Sequence, residues 1–242
     1  MYGGKMFIDT HVHTKYSDGT GSIQNILKNA KKRGIGLAIT DHNVIKGAVK
    51  AVQHNGNTII PGIEVGTVEN RHVSLLFYNA KELQEFYNKE IENKRIKDKW
   101  FNWWRTTIPT VELIDTATQY NCLIIAPHPY NRLFTEKNWS PKKIPNIKKI
   151  HAIETINSAV TPQSNSIAKR FAEKLNKPQT AGSDAHNIQN IGKAGILTEG
   201  STINEILENI KKGKITPKGL SFNPFEYYLQ CQTVVVKNIL PK

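Results

Sequence analysis

The sequence predicts an α/β fold in which strands and helices alternate around a barrel, and three observations carry that expectation. Apolar, β-rich runs recur at seven places: KMFIDT, GLAIT, NTIIPGIEV, HVSLLFY, CLIIAPH, KIHAIETIN and PQTAGSD. Helical patterns stand between several of them, the alternation that builds parallel sheets from β-α-β units. Histidine, aspartate and glutamate gather where these runs end, the rim on which barrels of this class build their sites. With 242 residues the chain is long enough for one such domain with a sizeable core.

The first run ends in DTHVHT, and residues i and i+2 of a strand point the same way, so His11 and His13 are neighbours on one face. Two readings stand for such a pair: a hydrogen-bonded couple without metal, or two imidazoles sharing a cation. SIQNILKNAKKRG then reads as a crossover helix, with Ser22 as cap, a stripe of Ile23, Ile26, Leu27 and Ala30, and Gly34 as stop. The second run ends in TDHN and the third carries Glu64 in GIEV. Only seven residues separate Glu64 from His72. A parallel crossover needs a dozen or more, so the fourth strand must turn back antiparallel, bringing His72 to the Glu64 end and distorting the barrel. The fifth run ends at His128 and the seventh at Asp184 and His186, with SNSIAKRFAEKLN and INEILENIKKG as helices before and after the last strand.

Two segments break this rhythm. Residues 80 to 120, with KWFNWWR and a helix start at TIPTVELIDTA, are too long for a plain connection. Trp100, Trp103 and Trp104 are expected to share a helix face packed on the barrel. The stretch after Pro217 is apolar and aromatic enough to dock as a terminal helix or strand. The expected organisation is a barrel domain over 1–216, with a helical insertion at about 80–120, and a packed C-terminal extension over 217–242. No internal repeat is evident.

Hydrophobic residues make up 38% and charged residues 22%, an ordered globular composition. Cys122 and Cys231 lie far apart, so no disulfide framework is expected, and Cys122 in CLIIA reads as a buried thiol. No apolar run approaches the length of a membrane span, and the N-terminus enters the first strand directly, so the chain reads as cytoplasmic and without membrane contact. The formal charge of +13 suits anionic partners such as phosphates or nucleic acid. Its lysines and arginines are spread over KKR, KRIKDK, the segment from Lys142 to Lys149, and KKGK, and solvated helix faces account for most of them.

Collected at one rim, Asp9, His11, His13, Asp18, Asp41, His42, Glu64, His128, Asp184 and His186, with His72 returned to it, supply donors for more than one metal ion. His54 and His151 fit no rim position and are read as structural. On these residues the chain resembles the polymerase and histidinol phosphatase family, called PHP, of metal-dependent phosphoesterases. DTHVHT with SDG is similar to its first motif, TDHN to the second, APHP to the third and GSDAH to the fourth, with GIEV and RHVSLLF between them, over residues 7 to 190.

The resemblance implies a distorted (β/α)7 TIM-like barrel holding two to three divalent ions, zinc, manganese or iron. It carries nine ligands to His11, His13, Asp18, His42, Glu64, His72, His128, Asp184 and His186. His11, His13, Glu64 and Asp184 would hold one ion; Glu64, His72 and His128 a second; Asp18, His42 and His186 a third. Asp18 stands where the histidinol phosphatases tend to have His, which points away from histidinol phosphate. Asp9 and Asp41 read either as acceptors orienting imidazoles or as plain strand-end hydrogen bonders.

The expected activity is metal-assisted hydrolysis of a phosphate ester on a small molecule, nucleotide or short oligonucleotide, with Asp18, His42 or a metal-bound water as candidate acid. Arg132 and Lys15 are candidate phosphate contacts. The rival readings are a nuclease or proofreading 3'-5' exonuclease acting on DNA, favoured by the charge, and a non-catalytic metal-binding domain. The sequence does not speak to oligomeric state.

Overall fold

In the computed structural model, which describes residues 4–54, 56, 58–96, 104–131, 139–140 and 142–220, the first strand β1 (Met6–Val12) leads through α1 (Ile23–Arg33) to β2 (Gly36–Ile39), the expected crossover. The Ser22 side chain accepts from Asn25 N–H at the start of α1, Gly34 closes it in the left-handed conformation, and Ile23, Ile26, Leu27 and Ala30 are buried. There follow α2 (Lys46–Ala51), β3 (Ile59–Gly66), β4 (His72–Phe77), α3 (Ala80–Phe86), α4 (Thr110–Ala117), β5 (Cys122–Ala126), β6 (Ala152–Asn157), α5 (Pro162–Lys174) and β7 (Gln179–Gly182). The described chain ends with β8 (Ala194–Thr198), α6 (Ile203–Lys211) and β9 (Ile215–Gly219).

The strands form one sheet in the order β7-β6-β5-β4-β3-β2-β1-β8-β9. β1, β2 and β3 are parallel, and so are β5, β6 and β7, while β4 runs antiparallel to both its neighbours. The short Glu64 to His72 connection thus imposes the reversal expected of it, pairing Gly66 with His72. The sheet nearly closes where the chain leaving β7 returns to β1. Ala185 bridges Val12 in parallel, His13 N–H donates to the Ala185 carbonyl at 3.0 Å, and the Thr10 hydroxyl donates to the Ala181 carbonyl at 2.9 Å.

Each of β1 to β7 contributes an apolar side chain to one buried cluster inside the barrel: Ile8, Ala38, Ile60, Leu76, Leu123, Ala152 and Ala181. Ile206, Leu207 and Ile210 of α6 join the same buried cluster and give the barrel a floor. Each contributes roughly 1.5–3 kcal/mol of transfer free energy. A capping box between Thr202 and Glu205 starts α6, and the Tyr78 hydroxyl donates to Glu208 Oε1 at 2.8 Å.

β8 and β9 add an antiparallel pair to the seven expected strands. Pro217 is tolerated because β9 is an edge strand, where a missing N–H costs no ladder bond. Residues 217–219 therefore lie in the sheet, while the rest of the extension from residue 221, with Cys231, is outside the described residues. Cys122 is buried, donates to the Ala117 carbonyl, and has its pKa pushed up to about 12 by burial.

The long segment between β4 and β5 starts and ends at paired residues, Phe77 and Cys122. Between them it covers the outside of the sheet, with Leu83, Phe86, Ile91, Leu113 and Ile114 buried. It also reaches the site end, where Thr106 N–H donates to the Gly66 carbonyl at 2.7 Å. A Cβ on Gly66 would collide with the Trp104 carbonyl, so glycine is required for this approach. Trp104 is half-buried and donates through Nε1 to Asn70 Oδ1; Trp100 and Trp103 lie outside the described residues. Among the described residues no helix is long and apolar enough to cross a membrane.

Candidate metal centre

Strand ends and the loops after them deliver the nine expected residues to one place. His11 is in β1, and His13 and Asp18 follow it; His42 follows β2; Glu64 is in β3; His72 opens β4; His128 follows β5; Asp184 and His186 follow β7. Eight of the nine are buried, and His72 is the most open, with 16% of its side chain exposed. His128 (φ 25°) and Asp184 (φ 52°), with Asn43 (φ 52°) beside His42, take left-handed backbone conformations. Such conformations cost of order 1–3 kcal/mol each and gather at functional sites.

Glu64 is the hub. Its Oε2 lies 3.3 Å from His11 Nε2, 3.3 Å from His13 Nε2 and 3.2 Å from His42 Nδ1, and its Oε1 lies 3.2 Å from His72 Nδ1 and 3.0 Å from His128 Nε2. Asp184 Oδ1 approaches His13 Nε2 at 3.1 Å and His11 Nε2 at 3.6 Å, while Asp18 Oδ2 approaches His186 Nε2 at 2.9 Å and His42 Nε2 at 3.6 Å. Donor atoms within 4.8 Å of one another fall into four overlapping sets: His13, Asp18, His42 and His186; His11, His128 and Asp184; His11, His13 and Glu64; and His42, Glu64 and His72. His13 thus belongs as much with Asp18, His42 and His186 as with His11, and His42 as much with His72 as with Asp18.

Two observations show that this donor set fits cations. His11 Nε2 and His13 Nε2 point at each other across 3.1 Å, where one proton can serve at most one of two lone pairs. His13 Nδ1 and Glu64 Oε2, both fully buried, make no hydrogen bond, a costly state for polar atoms unless something else binds them. The electrostatics agree. Burial opposes charge on His11 and His13, yet Glu64, Asp184 and Glu154 lift His11 well above 6.5, and Asp18, Asp184 and Glu64 lift His13 to about 10. Burial likewise opposes charge on Asp18, Glu64 and Asp184, and the surrounding imidazoles hold all three below the usual carboxylate range. His42 is pushed down to about 3 because desolvation outweighs its carboxylates.

Glu154 of β6 orients the His11 imidazole. Its Oε1 accepts from His11 Nδ1 at 3.2 Å, while Oε2 accepts from His128 N–H at 3.0 Å and from Asn157 Nδ2 at 2.8 Å. Sequence reading passed over it, although a lone glutamate inside the apolar run KIHAIETIN must be paired if that strand is buried. Asp9 and Asp41 hold backbone and hydroxyl groups instead of imidazoles. Asp9 accepts from His11 N–H, Ser183 N–H, the Ser183 hydroxyl and Gly192 N–H. Asp41 accepts from Thr14 N–H and its hydroxyl, both at 2.7 Å, and from the Ser17 hydroxyl at 2.6 Å, pinning the loop that carries Asp18.

His54 is exposed in the turn after α2, and His151 sits at the entrance of β6, its Nδ1 accepting from Ile124 N–H. Lys15 is exposed beside Tyr16, and Arg132 lies outside the described residues.

Residues 9–132 match the family described as PHP domain, and residues 162–215 match the one described as PHP-associated. An uncharacterized protein of Methanocaldococcus jannaschii, MJ1587, is 33% identical over 141 residues, covering 52% of this chain and 69% of that protein. Among solved structures, a two-domain Bacteroides vulgatus protein described as containing a predicted PHP-like metal-dependent phosphoesterase has a TM-score of 0.65 at 14% identity, over 93% of this chain and 68% of that one. The lesion-specific Endonuclease Q of Pyrococcus furiosus has a TM-score of 0.70 at 20% identity, over 90% of this chain and 59% of that one, and Endonuclease Q in complex with a 27-mer duplex carrying an abasic lesion scores 0.72.

Proposed function

The chain belongs to the PHP domain family, and from that premise we propose that its cluster holds two to three divalent cations, zinc, manganese or iron, and hydrolyses a phosphate ester of a small molecule, nucleotide or short oligonucleotide. The observation that carries this reading is Glu64, whose two oxygens face five imidazoles, a bridging carboxylate's position between cations that would otherwise repel. His11, His13, Asp184 and Glu64 would hold one ion, Glu64 with His72 and His128 a second, and Asp18, His42 and His186 a third. When bound, such ions neutralise the non-bridging oxygens of a phosphate ester and lower the pKa of water. The chain's own part is to fix the donors. Glu154 orients His11, Asp41 locks the Asp18 loop through Thr14 and Ser17, and the floor made by α6 leaves the opposite rim as the approach. Asp18 or His42 is the proposed source of the proton for the leaving oxygen, with Asp18 Oδ2 facing His42 Nε2 and His186 Nε2. Lys15 and Arg132 are the proposed contacts to phosphate on the substrate.

Phosphatase assays of the manganese-loaded protein against nucleotides, sugar phosphates and short single strands test this reading, with Glu64→Gln as control. Metal content and hydrolysis should fall together in that variant; unchanged metal with full activity removes Glu64 from the site. A nuclease acting on DNA is the second reading. It is favoured by the +13 charge and by the fold shared with Endonuclease Q. Efficient internal cutting of a long duplex would promote it.

A further inference from the structure

Beside the cluster, on its outer edge, three lysines converge on one aromatic ring. Lys46 and Lys50 of α2 place Nζ 5.3 Å from the centroid of Tyr16, and Lys15 places its own at 5.9 Å. The arrangement is built in. Lys46 and Lys50 are four residues apart and share a helix face. α2 lies hard against the Asp18 loop because position 47 is glycine: a Cβ there would collide with Asp41 Oδ2 and stand 2.7 Å from the Thr14 hydroxyl. Tyr16 is half-buried against the outer core, so the ring is anchored while the ammonium groups around it are exposed.

Among the described residues no carboxylate answers these charges. The nearby acids are turned inward, Asp18 to His186 and His42, and Asp41 to Thr14 and Ser17, and among the described residues none of the three lysines is in an ion pair. Three cations around one point, unneutralised, form a focus for an anion. Tyr16 is only two residues before Asp18, so their Cα atoms are at most about 7 Å apart. An anion held there is close enough to be part of the same bound molecule as a group at the cluster.

We propose that Lys15, Lys46 and Lys50, gathered on Tyr16, form a subsite for a phosphate of the substrate other than the one hydrolysed, so that the protein is built for substrates carrying at least two phosphates. This rests on the phosphoesterase reading and deepens it. The second phosphate is either the flanking phosphodiester of an oligonucleotide or the second phosphate of a bisphosphorylated small molecule.

The test compares manganese-loaded wild type with the double variant Lys46→Gln/Lys50→Gln on three substrates: p-nitrophenyl phosphate, a hexose bisphosphate and a five-nucleotide single strand. Relative to p-nitrophenyl phosphate, kcat/KM for a substrate with two or more phosphates should fall about tenfold, and the dependence of log KM for the strand on log salt should flatten by about 1.4, or about 0.7 per lysine. A fall confined to the strand assigns the flanking phosphodiester; a fall for the bisphosphate assigns a small molecule. Ratios unchanged for both overturn the subsite. If wild type hydrolyses none of the three, the phosphoesterase reading fails on its own. Equilibrium binding of a fluorescent five-nucleotide strand at two salt concentrations then decides the subsite: weaker, less salt-dependent binding by the variant supports it, and equal binding overturns it.

Discussion

Replacing Glu154 by Gln should weaken metal binding by about 10- to 100-fold, or about 1.4 to 2.8 kcal/mol, without unfolding the protein. The magnitude follows from counting donors and acceptors. Oε2 takes two hydrogen bonds, from His128 N–H and Asn157 Nδ2, and both donors are buried. Leaving each of them facing an amide NH2 would cost about 1–3 kcal/mol, so the glutamine carbonyl must turn to that side. Its NH2 then faces His11 Nδ1, 3.2 Å away in the wild type, and forces that nitrogen to accept. The imidazole hydrogen moves to Nε2, the atom that lies 3.1 Å from His13 Nε2 and 3.3 Å from Glu64 Oε2. One donor lone pair is thereby withdrawn from the cluster while the side-chain shape is kept. Calorimetric titration of the metal-free protein with manganese gives the affinity, and thermal unfolding of the metal-free variant reports the fold separately. Manganese affinity within twofold of wild type, with an unchanged unfolding temperature, would refute the assignment of Glu154 as the group that fixes the His11 tautomer.

Other outcomes follow from the same geometry. Gly47→Ala should lower stability by about 1–3 kcal/mol through overpacking against Asp41 and Thr14, read as a drop in unfolding midpoint in urea; an unchanged midpoint would show that α2 can shift freely. Burial lowers the pKa of His151 from 6.5, so the stability it contributes is complete above 6.5 and is lost as pH falls through its lower native value. His151→Asn keeps an acceptor for Ile124 N–H but does not titrate, and should therefore lose less thermal stability than wild type between about pH 7 and about pH 5; equal losses would contradict this. His54→Asn, at an exposed turn, should leave metal content and turnover within a few-fold, and loss of metal from the folded variant would place His54 at the site.

The gathering of the nine side chains at one rim was legible because each strand end carries its residues within a few positions of one another, and because the His72 reversal follows from loop length alone. Glu154 was not, since one glutamate in KIHAIETIN has no neighbour to mark it; only the burial of that strand makes its charge conspicuous. Asp9 and Asp41 adjoin histidines in sequence, but their carboxylates are taken up by Ser183, Gly192, Thr14 and Ser17 from segments that sequence proximity does not reveal. The sharing of His13 between two donor sets depends on how its ring is turned, a choice of side-chain torsions no spacing encodes. β8 and β9 escaped because AGILT is short and ITPKG contains a proline, a residue that argues against a strand until the edge position is known.

The pairing of Phe77 with Cys122 has a consequence for how such barrels diversify. A chain that leaves one strand and re-enters at its immediate neighbour needs no excursion to make the connection, since a tight hairpin would serve. Residues 78 to 121 are therefore an appendix to the sheet's wiring, replaceable by any segment that covers the same apolar wall. Doubling its length would cost only about 0.6 kcal/mol in closure entropy, and neither strand would change register. Because this segment also reaches the Gly66 end of the barrel, exchanging it would remodel the surroundings of the candidate metal centre while leaving all nine clustered side chains on their own strands and loops.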